Sequence, residues 1–203
     1  MLSEMDLSKS GDVLEIGCGT GEISSFLAEG SRYRVLGTDI CAPFIADAAN
    51  KYKRDNLSFE ILDFNDPSQV RGRKFDYVVG NGILHHLYPN LPQALRTIRE
   101  LLKPGGKMVF MEPNIYNPYC AIIFNLTRKL ANLEPDEMAF SRRYISKKLR
   151  VAGFSDFTVR YRDFLVPGIP NSFIKPSIIV GDYLEKLPPF NRLSQSLFIV
   201  GSR

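Results

Sequence analysis

Three groups of residues in this 203-residue chain combine types and spacings suited to chemistry. The first is Glu15-Ile16-Gly17-Cys18-Gly19-Thr20-Gly21, in which glycine recurs at alternate positions directly after the apolar run Val13 to Ile16. Glycine has no Cβ and turns freely, so a small polar ligand can lie on bare main chain there. The second comprises Asp39 and Asp63, each at the end of a predicted strand, where a carboxylate can accept hydrogen bonds from a ligand's hydroxyl or amino groups. The third is Ile83-Leu84-His85-His86-Leu87, which holds both histidines of the chain. An imidazole can take up or deliver a proton near neutral pH.

Glycine spacing separates two classes of ligand. A dinucleotide turn reads G-x-G-x-x-G and sets the pyrophosphate on the following helix. Here the third glycine comes one residue early, and the last glycine's place holds Glu22, whose charge at a helix N-terminus repels a pyrophosphate. An NAD-dependent oxidoreductase is therefore the weaker reading. A cationic sulfonium meets no such repulsion, and Glu15 supplies an acid suited to an amino group.

The run Glu15 to Gly21 matches (D/E)-x-G-x-G-x-G at every position and resembles the first motif of the class I S-adenosylmethionine (SAM)-dependent methyltransferases. The resemblance implies SAM as cofactor, leaving as S-adenosylhomocysteine, with Glu15, Gly17, Cys18 and Gly19 at its binding turn. It further implies Asp39 on the ribose hydroxyls with Ile40 beside the adenine, Asp63 on the adenine amino group, Phe64 meeting the ring through its backbone amide, and Asn81 just past strand four. Gly80 to Leu87 is similar to the strand-four segment of the small-molecule branch, in which hydrophobic-His-His-Leu recurs. Residues 80 to 88 are thus expected to line the acceptor site, with His86 favoured over His85 for contact with the acceptor. Leu102 to Lys107 resembles the family's turn before strand five and is assigned no chemistry. Blander roles stay open: Asp39 as a helix cap, Asp63 as a turn residue ahead of Asn65-Asp66-Pro67, and the histidines as packing residues.

The elements that must position these groups follow from periodicity. Val13 to Ile16, Tyr33 to Asp39, Leu57 to Leu62, Phe75 to Val79 and Lys107 to Glu112 read as buried strands. Helices are predicted after Gly21 to about Gly30, over 43 to 54, on the stripe Leu91, Leu95, Ile98 and Leu102, and over Ser141 to Ala152. Phe157, Val159 and Tyr161 alternate with polar residues as strand six, and Ser196 to Val200 forms the last strand. The alternation predicts an α/β fold: a Rossmann-like, open, seven-stranded, mostly parallel sheet with helices on both faces, the last strand antiparallel. Residues 1 to 203 are read as one methyltransferase domain, with residues 1 to 12 leaving room for little more than a turn.

Composition excludes several classes. No apolar run approaches the ~18 residues of a membrane span, and the start lacks the basic patch and apolar run of a signal peptide. The three cysteines, Cys18, Cys41 and Cys120, have neither disulfide-framework nor zinc spacing, so no metal site is expected and a cytoplasmic setting is. The net charge of +4 is spread over short, separate clusters, which argues against nucleic acid as a partner. Two apolar insertions, at about 116–133 and 164–190, carry Tyr116, Tyr119, Ile122, Phe124, Phe164, Phe173, Ile178 and Tyr183. With Arg128, Lys129, Arg142 and Arg143 beside them, they suggest a small hydrophobic or lipid-like acceptor with an acidic head group, or peripheral membrane contact. A SAM-binding protein without catalysis is the other reading.

Overall fold

The computed structural model describes residues 1–203 except 71, 127–137 and 166–167. Seven strands form one sheet: β1 (Asp12–Ile16), β2 (Arg34–Asp39), β3 (Leu57–Ile61), β4 (Phe75–Asn81), β5 (Leu102–Pro113), β6 (Asp156–Arg162) and β7 (Ser196–Ser202). Their order is β3-β2-β1-β4-β5-β7-β6. The first five pair in parallel, and β7 inserts antiparallel between β5 and β6. The chain order reverses beside β1 and β4, and the crevice outside their C-terminal ends is where an open α/β sheet places its ligand.

Strand alternation sorts the core into two layers. Leu14, Ile16, Val78, Met108, Phe110, Leu197 and Ile199 face the helices α3 (Leu91–Leu101) and α5 (Arg142–Val151). Val13, Val35, Tyr77, Val79, Val109 and Phe198 face the other way, toward α1 (Glu22–Glu29). The helix α2 (Ala42–Lys51) packs beside α1, with Ala48 buried against Gly21 and Phe59. Both faces are thus covered, and each central strand reads as continuously apolar because neither side meets water. Among the described residues, the crossover from β3 to β4 carries a short 3-10 turn, Pro67–Val70.

Several boundaries differ from the pattern reading. Helix α2 ends at Lys51, with Tyr52 already extended, so Lys53 and Arg54 lie beyond it. Leu102, at the end of the α3 stripe by periodicity, is the first residue of β5; it is fully buried in either setting, so the apolar pattern does not separate the two. The Lys103-Pro104-Gly105-Gly106 turn is drawn into that strand through a register shift between Phe75 and Tyr77. In the first insertion α4 (Pro118–Ala121) runs into a π-helical turn, Ile122–Leu126. Arg128 and Lys129 lie outside the described residues. The second insertion carries α6 (Asn171–Leu184).

Leu95 is fully buried at the centre of the α3 layer. Leu95→Ala is expected to cost about 2–5 kcal/mol, the range for a Leu truncation that leaves a cavity. Urea unfolding followed by circular dichroism measures it; a loss below about 1 kcal/mol would mean this layer can collapse around the gap.

Candidate active site

The turn after β1 is built from three glycines with positive φ that differ in purpose. A Cβ on Gly17 would come within 2.7 Å of Ile83, and one on Gly21 within 2.8 Å of the Phe59 ring, whereas one on Gly19 would meet nothing within 4 Å. The expectation that the glycines leave room for a ligand therefore holds at Gly19. At the other two positions protein side chains take up the space. The turn is fixed from β2: Asp39 Oδ2 accepts from the Gly19 N–H and Oδ1 from the Cys41 N–H, both at 2.9 Å. Asp39 is not the cap of α2, whose N-cap position is Cys41 without a side-chain cap. It braces the glycine turn, with the 64%-exposed Ile40 beside it.

Glu15 departs from expectation. Alternation along β1 points it into the α1 layer, where it is 1% exposed and Ser24 Oγ donates to Oε2 at 2.5 Å. Burial raises its carboxyl to about 7. It underlies the turn as a buried acid rather than opening onto a ligand. Cys18 is also buried, its N–H donating to Thr38 O, and burial raises its thiol to about 12, so it is no nucleophile near neutrality. Glu22 stands at the start of α1 as predicted, but Lys51 Nζ lies 3.0 Å from it, which offsets part of the repulsion expected toward a phosphate.

Along the same edge, Asp63 is half-buried and Oδ1 accepts from the Asn65 N–H at 2.9 Å, so the turn role is made. Phe64 buries its ring in the α3 layer and leaves only backbone for a ligand. Asn81 is the exposed last residue of β4.

The histidine segment is organised by a residue that the sequence pattern does not single out. Glu112 lies near the end of β5, on the face of Met108 and Phe110, and is 1% exposed. Its Oε1 accepts from the N–H groups of Ile83 (3.0 Å) and Leu84 (2.8 Å), and its Oε2 from the N–H of His85 (3.2 Å). Oε2 also lies 2.9 Å from His85 Nδ1. Residues 83 to 87 are a turn, not extended chain, so the two imidazoles lie side by side, their centroids 4.2 Å apart and their planes tilted by 34°. His85 is buried, with the Phe124 ring edge-on at 5.7 Å; His86, favoured from position alone, is exposed. The signal that could have found Glu112 is a lone acid closing an apolar strand just before a proline. Among the described residues, no group of three or more His, Cys, Asp or Glu is placed to hold a metal ion.

A family model described as "Methyltransferase domain" matches residues 14–108, from the glycine turn through the histidine segment into β5. The S-adenosylmethionine-dependent methyltransferase of Mesorhizobium loti superposes with a TM-score of 0.71, covering all of this chain and 95% of that one at 16% identity. Residues 14–108 thus match the methyltransferase-domain family, and the whole chain has the fold of the class I SAM-dependent methyltransferases. Its cofactor is accordingly SAM, and the sheet order with β7 antiparallel is the family's architecture. The polyketide methyltransferase ustM of Ustilaginoidea virens is 29% identical over 160 residues, 73% of this chain and 36% of that protein. The CurJ carbon methyltransferase superposes with a TM-score of 0.66 at 24% identity, over 99% of this chain and 50% of that one. The chain spans only 3% to 7% of the length of the polyketide synthases that it matches.

Two outcomes follow for the turn. A carboxyl raised above its unfolded value of 4.5 favours folding at low pH, and that contribution is lost as pH rises from 4.5 through about 7. Glu15→Gln should therefore be more stable than the parent at pH 8 by about 2–4 kcal/mol, with the gap shrinking toward pH 4.5; equal gaps in urea melts at pH 5 and pH 8 would contradict this. Gly19→Val meets no clash but strains the turn, because a β-branched residue rarely adopts its φ of 52°; it should fold with reduced stability and lose S-adenosylhomocysteine affinity by about tenfold or more in calorimetry, and unchanged affinity would refute the assignment of that space.

Proposed function

We propose that this chain transfers a methyl group to carbon in a small hydrophobic acceptor, with His85, positioned by Glu112, as the base. The carrying observation is the buried Glu112 carboxylate 2.9 Å from His85 Nδ1. SAM would be held by the residues that fit it: Gly19 through bare backbone, Asp39 through carboxylate lone pairs left beside the turn, and Ile40 as an exposed apolar surface for the adenine. Bound there, SAM supplies the methyl as an electrophile on sulfonium sulfur.

The chain's own contribution is proton removal and orientation. A carboxylate facing Nδ1 favours the tautomer with the proton on Nδ1, which leaves the Nε2 lone pair to take a proton from the acceptor. The imidazolium so formed is stabilised by the same carboxylate. The three backbone N–H groups on Glu112 keep it from swinging away, so the base is held at a fixed orientation without side-chain rearrangement. An amine lone pair or a thioether needs no such device before it attacks. A base buried with its orienting carboxylate suits an attacking atom that must first lose a proton, and a C–H flanked by two carbonyls is acidic enough for an imidazole. The names polyketide methyltransferase and carbon methyltransferase among the relatives support carbon as that atom.

The hydrophobic character of the acceptor rests on the two insertions. Tyr116, Ile122, Phe173, Ile179, Val180 and Tyr183 are all exposed, far more apolar surface than a connection requires. The same surface favours peripheral contact with a membrane; among the described residues no helix is long and apolar enough to cross one.

The test is exchange of the acidic C–H of a hydrophobic 1,3-dicarbonyl in D2O, followed by methyl transfer on adding SAM. Parent protein should catalyse both. His85→Ala and Glu112→Gln should each lose about 10²- to 10⁴-fold in exchange while still binding S-adenosylhomocysteine. His86→Ala should lose far less. Full exchange by His85→Ala would remove it as base, and cofactor binding without any transfer would leave a SAM-binding protein.

A further inference from the structure

An open cavity of about 1120 Å³ lies at the ligand edge of the sheet, lined by Arg142, Arg143, Arg150 and Arg192 together with Tyr116 and Tyr161 and, among the described residues, by no acidic one. Its place in the fold follows from the strand pairing. Ser196, the first residue of β7, pairs with Pro113 and with Arg162, so the C-terminal end of β6 and the residues just before β7 meet the end of β5. Tyr161 packs against the α3/α5 layer, the side that Glu112 faces. Asn117 Nδ2 donates to Leu193 O at 2.6 Å, closing the loop after β5 onto the segment before β7. Tyr116 is four residues beyond Glu112, so the two Cα atoms are at most about 14 Å apart. The cavity is therefore on the same edge as the base, although neither His85 nor Glu112 lines it.

The arginines are arranged, not scattered. Arg142, Ser146 and Arg150 repeat every four residues along one face of α5, while Ile145 and Leu149 bury the other. Two helical steps of four rise about 12 Å. Phe157 and Tyr161 are four residues apart on β6, about 13 Å, and β6 runs back along α5. The lengths match, so the Arg150 guanidinium carbon lies over the Phe157 ring (5.3 Å to its centroid) and that of Arg142 over the Tyr161 ring (5.8 Å). A guanidinium held over a ring is restrained there and keeps N–H donors for a ligand.

Two features mark this cluster as unsatisfied. Arg34, Arg54, Arg73 and Arg162 each pair with a carboxylate, whereas among the described residues none of the four cavity arginines does. Arg142 and Arg143 also occupy the first turn of α5, where the helix dipole disfavours cations, in a helix with five basic residues and no acidic one. An anion in the cavity relieves both. Resting on the methyltransferase reading, we infer that the cavity binds the phosphate of a phosphorylated acceptor whose reactive carbon lies at His85. Arginine forks match phosphate oxygens two at a time, and four of them around one space suit a phosphate better than a single carboxylate.

The test is calorimetric titration with inorganic pyrophosphate, with S-adenosylhomocysteine titrated in parallel. The parent should bind one pyrophosphate. The double variant Arg142→Gln/Arg192→Gln should lose about tenfold or more of that affinity, and Lys53→Gln, a remote exposed cation, none. S-Adenosylhomocysteine affinity should be the same in all three. Co-sedimentation with phosphatidylcholine vesicles, with and without phosphatidylglycerol, identifies the source: arginine-dependent binding to the anionic vesicles marks a lipid headgroup, and pyrophosphate binding without vesicle binding marks a free phosphorylated molecule. Absence of pyrophosphate binding, or equal binding by the double variant, overturns the site. A single-stranded RNA that binds more tightly through the same arginines overturns the small acceptor. Loss of S-adenosylhomocysteine binding in the parent would instead overturn the methyltransferase reading.

Discussion

One buried carboxylate organises the histidine side of the candidate site. Glu112 has no contact with water to stabilise its charge, and a buried anion left alone would be costly. Three backbone N–H groups and the His85 ring supply what water would have, and all four come from residues 83 to 85. The need of one group to be satisfied thereby fixes the path of the chain after β4. That path brings Ile83 against Gly17, where any Cβ would clash, so the glycine turn and the histidine turn are fitted to each other through a single isoleucine. The proposed cofactor side and the proposed acceptor side meet at this contact.

The frame that makes this possible is the parallel pairing of β4 with β5. Asn81 lies opposite Met111, so the chain leaving β4 passes over the end of β5 and Glu112 is within reach. The cofactor turn has an equivalent brace one strand over, where Asp39 at the end of β2 holds the Gly19 N–H at the end of β1. In both cases a carboxylate at one strand's C-terminal end immobilises the loop leaving its neighbour. The sheet serves as a row of fixed posts, and the two loops hang between adjacent posts.

Much of this is legible in the sequence because it is local. Apolar runs, glycine punctuation and the Asp39 position supply the raw material of the strand order, and the (D/E)-x-G-x-G-x-G turn points to the cofactor. What stays hidden depends on pairing between distant segments. Glu112 acquires its role only from partners 27 to 29 residues away. The choice between His85 and His86 depends on the same contact and on the chain turning rather than extending. Glu15 escapes the sequence for a related reason: its motif position says that an acid is wanted, but strand alternation, which buries it on Ser24, decides which way it points. The sequence marks Arg142 and Arg143 only as cations beside an apolar insertion; the return of β6 is what puts Tyr161 beneath Arg142 and Phe157 beneath Arg150.

The most direct test of the account is the protonation of His85 itself, read by nitrogen NMR of the imidazole in the ligand-free protein above the pH at which the ring is neutral. With Glu112 as the organising carboxylate, the proton resides on Nδ1 and Nε2 carries the lone pair. A proton on Nε2, or free exchange between the two tautomers as in a solvent-exposed histidine, would contradict the orienting role of Glu112 and the base assignment that depends on it.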